Sequence, residues 1–401
     1  MSRLLTLYSK IKRVPNKAKM LALRANISKE TKQNSQFFIG QLNGNCFSET
    51  VAQDDLSEYL KPLREGCLAH FKDLHKPKKI KILFHLPSIY ALGTRSIFLN
   101  WISSLNYMGV EAETLEFTEN LREKLEAFKP EILVSVDHQM FLSQLDFVAI
   151  ADYRKSTALM VALQAHDDSE TNDNFSNDKR VALAKKNKVD FFFSFRIESY
   201  IEQLFGHLKE AGFTVLSIPF AANPIKDYYI PNEKVFDWSF LGSSNPDKTP
   251  RYSSYFKGLF KGYDGVLAGP GWGSEIPLSL EGKYHSLFYS KAKIALNLHL
   301  QEQVDRPSEI NERVYSLAAS GNFQILDQPK ALGLLFANPS NVVSLDQPSD
   351  YFAAFEHYLN SPDERKVMVC HGFDAIYQGG HTLFHRMQVL IEQIEKSRGQ
   401  K

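Results

Sequence analysis

The sequence predicts an α/β protein made of two Rossmann-like doubly wound domains facing across a cleft, with a basic N-terminal extension. Three observations carry this expectation. Short apolar runs recur along the chain with helical patterns between them. The rhythm breaks near Ala222–Lys234 and then restarts. Each stretch on either side is about 150 residues long, the size of one domain.

Residues 1–78 are read as the extension. Within it, residues 1–24 hold Arg3, Lys10, Lys12, Arg13, Lys17, Lys19 and Arg24 and no acid, with Leu4, Leu5, Leu7, Ile11 and Val14 among them. Such an arm suits a membrane surface of anionic lipid headgroups. A frayed, solvated terminus is the alternative. Asp55–Leu74 reads as a helix. The first domain, 79–224, contains the runs Ile80–Leu86, Pro130–Asp137, Thr157–Gln164, Asp190–Phe195 and Phe213–Phe220, with an amphipathic segment at Arg95–Met108. Each run is too apolar for a half-exposed strand, which points to parallel strands covered on both faces. Asn223-Pro224 and Pro231-Asn232 mark a linker at 225–235. The second domain, 236–380, carries the runs Asp237–Leu241, Gly265–Ala268, Lys293–His299, Phe323–Leu326 and Val342–Leu345, with a helix at Glu309–Ser320. Residues 381–401 form a last helix with Leu383, Met387, Leu390, Ile391 and Ile394 on one face.

Composition excludes several classes. The 401 residues hold 47 basic and 46 acidic side chains, a net charge of +1, which argues against a dedicated nucleic-acid binder. Cys46, Cys67 and Cys370 make neither a disulfide framework nor a paired metal spacing, so a reducing cytoplasm is expected. No apolar stretch approaches the ~20 residues of a membrane span, and no secretory signal is recognisable. The expected location is cytoplasmic, or peripheral on the inner membrane face where the basic arm engages lipid. No GxGxxG, P-loop, HExxH or CxxC is present, so nicotinamide, NTP hydrolysis and a catalytic metal are disfavoured.

Doubly wound sheets bind ligands in the loops after their strands. Gly242-Ser243-Ser244 directly follows the run WSFL. Small residues there let backbone N–H groups approach a phosphate, although an ordinary β-to-α turn looks the same. His166-Asp167-Asp168 ends a buried run and can share protons or orient a hydroxyl, with helix capping as the alternative. Glu309, Glu312, Arg313 and Ser316 fall at helical spacings near one helix start. Carboxylates placed so can accept ribose hydroxyls, and Arg313 can grip a diphosphate through two N–H groups. A dipole-matched acidic helix start is the alternative.

The segments YSKAKIALNLH, NERVYSLAASG and NFQILD, and the ending SPDERKVMVCHGFDAIYQGGHTLFHRMQVLI, resemble the C-terminal domain of GT-B glycosyltransferases. They look like the spore-maturation-protein-like (CgeB-type) branch in particular. The resemblance is good over Asp237–Glu395, looser over Lys79–Pro224, and does not reach the first 77 residues. It implies a nucleotide-sugar donor on the C-terminal half, with Gly242, Ser243, Asn297, Glu309, Glu312, Arg313 and Gly321 as donor-binding residues. It implies a glycan, lipid-linked or protein acceptor on the N-terminal half, beside Gly93, Thr94, Arg95 and His166. Asp167 is expected to orient the acceptor, with His138 beside it as the second catalytic residue. No cofactor and no obligatory metal are implied, and the last helix is expected to pack back on the first half. The implied role is a retaining transferase of envelope or exopolysaccharide synthesis. One departure stands out: the family's glutamate after the aromatic residue falls on Ser316. Two other readings therefore stand beside the transferase, a catalytically degenerate binding protein of the same fold and a sugar-nucleotide epimerase or hydrolase.

Overall fold

The computed structural model describes residues 54–86, 92–166, 176–243, 249–256, 259–269, 284–336 and 342–399. The basic arm, Asp167 and Asp168, Ser244–Asn245 and Gly271–Gly273 lie outside the described residues. The chain divides into two units. The N-terminal unit takes residues 66–225 together with 381–401. The C-terminal unit takes residues 226–380 together with the chain up to Glu65.

In the N-terminal unit six parallel strands, β1 (Lys81–His85), β2 (Glu111–Leu115), β3 (Ile132–Asp137), β4 (Met160–Ala165), β5 (Phe191–Ser194) and β6 (Val215–Ser217), form one sheet in the order β2-β1-β3-β4-β5-β6. Neighbouring residues on a strand go to opposite faces. Ile82, Phe84, Ile132, Val134, Val136, Phe191 and Phe193 enter one core, while Leu83, Leu133, Val161, Leu163 and Phe192 enter the other. That division explains the unbroken apolar runs, because a parallel sheet wrapped by its crossover helices has no wet face. Strand β2 differs. It lies at the sheet edge, exposes Glu111 and Glu113, and buries Ala112 and Leu115. Its half-polar composition hid it from the sequence reading. Two of the helices between strands start on side-chain caps of this kind, with Asn120 accepting from the amides of Arg122 and Glu123, and Asp146 from those of Val148 and Ala149.

The last helix, Leu383–Arg398, completes this unit. Leu383, Phe384, Met387, Leu390, Ile391 and Ile394 are buried in the same core as Ile82 and Phe98. Its entry is tied down by main chain: the amide of Leu383 donates to the Ala222 carbonyl at 2.7 Å, and that of Ala222 to the His381 carbonyl at 3.1 Å.

In the C-terminal unit the strands are β7 (Phe236–Leu241), β8 (Gly265–Ala268), β9 (Ala292–Asn297), β10 (Gln324–Asp327) and β11 (Val343–Leu345), all parallel, in the order β11-β10-β9-β7-β8. The expected linker is largely fastened down here. Ser286 Oγ donates to the Lys226 carbonyl at 3.0 Å, and the Tyr228 amide donates to Ser286 Oγ at 3.2 Å. The described part of the expected extension is also built in. Asp54 accepts from the Tyr229 hydroxyl at 2.6 Å, and Tyr59 donates to Asp374 at 2.8 Å.

Because the final helix supplies one wall of the N-terminal core, truncating it there should be costly. Leu390→Ala should lower unfolding free energy by about 2–5 kcal/mol, the range for deleting a buried leucine side chain. Urea denaturation followed by circular dichroism measures this, and a change under about 0.5 kcal/mol would contradict the packing.

Candidate functional site

Both sheets reverse their winding direction once, between β1 and β3 and between β7 and β9. At such a point the connections leave to opposite sides and a crevice opens at the carboxyl ends of the strands. The chemistry-bearing residues of each unit gather at these two places.

In the C-terminal unit the helix Glu312–Ala319 starts beside the end of β9, capped by Asn311, whose side chain accepts from the Val314 amide at 3.3 Å. Asn311 also donates to Asn297 Oδ1 at 3.0 Å, locking the helix start to the last residue of β9. The same Asn297 oxygen accepts from Arg313 Nη1 at 2.9 Å. The guanidinium carbon stands 4.9 Å from the centre of the Phe240 ring on β7. It reaches there because the residue after β7 is glycine: a Cβ on Gly242 would lie 2.5 Å from Arg313 Nη2. Asn297, Gly242, Phe240 and Arg313 thus place a fixed positive charge between the ends of β7 and β9. Gly242 and Ser243 form the loop that follows, and the Tyr252 hydroxyl donates to the Ser243 carbonyl at 3.1 Å.

Beside it, at the end of β10, lies a second cluster. Asp327 is fully buried and accepts from His299 twice, from its amide at 3.0 Å and its ring Nδ1 at 2.6 Å. Arg251, from the helix Thr249–Phe256, pairs with Oδ2, the oxygen that the His299 amide also reaches. Burial pushes the Asp327 carboxyl up, but His299 and Arg251 outweigh it and hold it below the usual carboxylate range.

The other residues expected to bind a donor fall in different places. Glu309 is buried and accepts from Gln303 Nε2 at 2.6 Å. Glu312 stands half-buried in the first turn of the helix. Ser316 donates to Asp227 Oδ2 at 3.2 Å, so the hydroxyl there is matched to a carboxylate from the segment after Pro224. Gly321 lies past the far end of the helix with φ +61°, about 12 Å along the axis from Arg313. A Cβ there would meet Leu60 and Tyr229 at 2.7 Å. The structure therefore uses Gly321 to stop the helix and does not bring it to the crevice.

In the N-terminal unit the ends of β1, β3 and β4 carry His85, Asp137, His138 and His166. Asp137 is buried and pairs with Arg180 Nε at 2.6 Å, and Arg180 Nη2 also donates to the His166 carbonyl. The rings of His138 and His166 lie 5.0 Å apart, centre to centre. His85 is buried with its Nδ1 2.9 Å from Ser135 Oγ. Gly93, Thr94 and Arg95 lie in the opening of the helix Leu92–Tyr107. Arg95 is engaged by Glu116 through both terminal nitrogens, at 2.6 and 2.7 Å, so its charge is already matched.

Sequence reasoning did not single out Arg180, Arg251, Asp227, Asn311 or Asp327. Asp327 had a signal, since it closes an apolar run as Asp137 does. The arginines had none, because their partners are distant in sequence.

Residues 254–392 match a family model described as Glycosyl transferase-like. No curated protein matches the chain. Among solved structures the chain is similar to an alpha-glucosyltransferase in complex with UDP, at 11% identity, 79% of this chain, 99% of that chain and TM-score 0.55. The same figures hold for an alpha-glucosyltransferase with UDP and a 13-mer DNA containing a central A:G mismatch. A glycosyltransferase from Rickettsia africae shows 11% identity over 80% of this chain and 98% of that one, with TM-score 0.53. The match to a glycosyl transferase-like family model thus covers residues 254–392, and the fold, two parallel-sheet units, is similar to that of these GT-B glycosyltransferases.

The buried imidazole at the end of β1 makes a prediction about acid stability. Burial pushes His85 down to about 4, whereas an unfolded chain titrates near 6.5. Its contribution is therefore complete above pH ~6.5 and is lost as pH falls toward about 4. The loss amounts to about 3 kcal/mol. Denaturation free energies measured across that window should fall less steeply for His85→Asn than for the parent. Parallel curves would place His85 in a solvated site.

Proposed function

We propose that the protein is a glycosyltransferase that moves a sugar from a nucleotide-sugar donor to a glycan, lipid-linked or protein acceptor. We read it further as retaining and independent of a metal or other cofactor, in envelope or exopolysaccharide synthesis, of the spore-maturation-protein-like branch. The observation that carries the reading is the Arg313 guanidinium, held by Asn297 and Gly242 at the β7/β9 switch point. In the transfer, the bond from the anomeric carbon to the diphosphate breaks and one to the acceptor oxygen forms. Negative charge grows on the leaving diphosphate, and a guanidinium already in position stabilises it without reorganisation. The Gly242 amide is committed to the Ala268 carbonyl at 2.9 Å and Arg251 to Asp327, so Gly242 contributes room for the diphosphate and the Ser243 amide adds to that field. This supports a site whose positive charge comes from side chains, in place of a metal. On a retaining path the acceptor proton can pass to the departing diphosphate oxygen, so the N-terminal unit has to supply orientation more than basicity. Asp167, next in sequence to His166, is the proposed orienting carboxylate, with His138 as its neighbour.

The test separates binding from turnover. Calorimetric titration with UDP should show Arg313→Ala weakened by about 2–4 kcal/mol, since a diphosphate charge is left open. Asp167→Asn should bind UDP like the parent and lose about tenfold or more in transfer from a UDP-sugar. Unchanged UDP affinity in the arginine variant would remove the donor site, and unchanged turnover in the aspartate variant would remove the acceptor role.

The basic arm completes the proposal as a contact to anionic lipid. A chain starting at residue 25 should cosediment less with phosphatidylglycerol vesicles than the full chain, and raising salt should erase the difference. Equal sedimentation of the two chains would exclude the arm.

A further inference from the structure

The C-terminal unit has a second polar cavity, of about 300 Å³, at the amino ends of its strands. Its walls include Asp54, Tyr229, Lys234, Lys293, Arg365 and Lys366. Lys293 sits at the start of β9, four residues before Asn297, so the cavity lies about 13 Å along the strand from the Arg313 crevice. It is a different place with different residues.

Most of its charges are matched. Lys293 pairs with Asp237 at 2.8 Å and Lys366 with Asp55 at 3.1 Å. Asp54 accepts from the Tyr229 hydroxyl at 2.6 Å and from Ser57 Oγ at 2.8 Å, which satisfy its oxygens and leave one carboxylate charge on the cavity wall. Two cations stand apart. Arg365 donates through Nη1 to the main-chain carbonyls of Tyr358 and Leu359, which are neutral and leave its charge unmatched by an ion pair. Lys234 makes no hydrogen bond or ion pair among the described residues. Burial, with repulsion from Arg365 and Lys291, pushes its ammonium down to about 8, against the pull of Asp54. A lysine held this way remains charged at neutral pH, and the attraction of Asp54 only partly offsets the cost of its burial. The helix Pro362–Tyr377 begins at the cavity wall, and its N-cap, Ser361, makes no side-chain cap bond. The positive end of that helix adds to the field, while Asp363 and Glu364 of its first turn are exposed.

We propose that this cavity binds a small oxyanion of the phosphate class, with Lys234 and Arg365 as its cationic ligands. The volume admits a free phosphate or the phosphate group of a small ester. An anion there adds counter-charge for Lys234 and Arg365 beyond the pull of Asp54. The site is separate from the donor crevice and does not depend on the transferase reading.

The experiment titrates inorganic phosphate, and in a second arm a hexose 6-phosphate, into the full chain by calorimetry. The parent, Lys234→Met and Arg313→Ala are compared. The expected result is one saturable event that Lys234→Met weakens about tenfold or more and Arg313→Ala leaves in place. Tighter binding of the ester than of phosphate would identify a phosphorylated metabolite as the ligand, and the reverse order a free anion. Without anion, Lys234→Met should melt at the same temperature as the parent or higher, since it removes a desolvated charge. Phosphate binding that survives Lys234→Met, binding abolished by Arg313→Ala alone, the absence of saturation, or a collapse of the Lys234→Met fold would each overturn the proposal.

Discussion

A parallel sheet must be covered on both faces, and in this chain that constraint comes before all others. Its crossover connections are helical and have to lie on one side of the sheet or the other. In each unit the side changes once, which leaves the strand ends uncovered at a single point. The position of Arg313, of Asn297 and of the His138–His166 pair follows from this. None of these residues contributes to the core, yet each stands where the core's topology leaves room for a ligand.

Both units then face one electrostatic problem with different outcomes, since burial still pushes Asp137 up to about 6 against the pull of Arg180, whereas Asp327 is held below the usual carboxylate range. A strand that ends at a crevice tends to end on a polar residue, and here β3 ends on Asp137 and β10 on Asp327. Both carboxylates are buried, and a buried carboxylate without a cation would be driven to protonate. Each receives an arginine from a helix, Arg180 in one case and Arg251 in the other, and Asp327 also takes the His299 ring. Such pairs add little net stability, because desolvation cancels much of the attraction. Their consequence is geometric: they fix which side chains face the crevice and hold its charge in place before any ligand arrives.

The parts of this arrangement legible in the sequence are those governed by local periodicity. The ten apolar runs correspond to ten of the eleven strands among the described residues, and the apolar face of the last helix is the one buried. Strand β2 was not legible, because an edge strand needs only alternate apolar residues, and Glu111-Ala-Glu-Thr-Leu115 resembles a solvated segment. Helical spacing groups Glu312, Arg313 and Ser316 but says nothing about which strand end they meet. Gly321 shows the opposite limit. A glycine after a helix can mark a ligand's approach or a left-handed stop, and only the backbone angle distinguishes them. Arg180 was invisible because its partner Asp137 lies 43 positions away, and no local pattern records a pairing at that distance.

Ser316 shows how distance in sequence also bears on function. Read along the chain, serine where the family it resembles carries a glutamate looks like the loss of a carboxylate and favours a degenerate binding protein. In three dimensions the Ser316 hydroxyl donates to Asp227, so a carboxylate stands next to that turn of the helix, carried by a different segment. Burial and the proximity of Ser316 fix its position. A glutamate at 316 would set two carboxylates against each other, and like charges at that range repel by several times the strength of a hydroxyl bond. Serine is therefore the residue compatible with an aspartate at 227, and the pair retains one negative charge near the helix. The substitution at 316 taken alone does not argue for lost turnover.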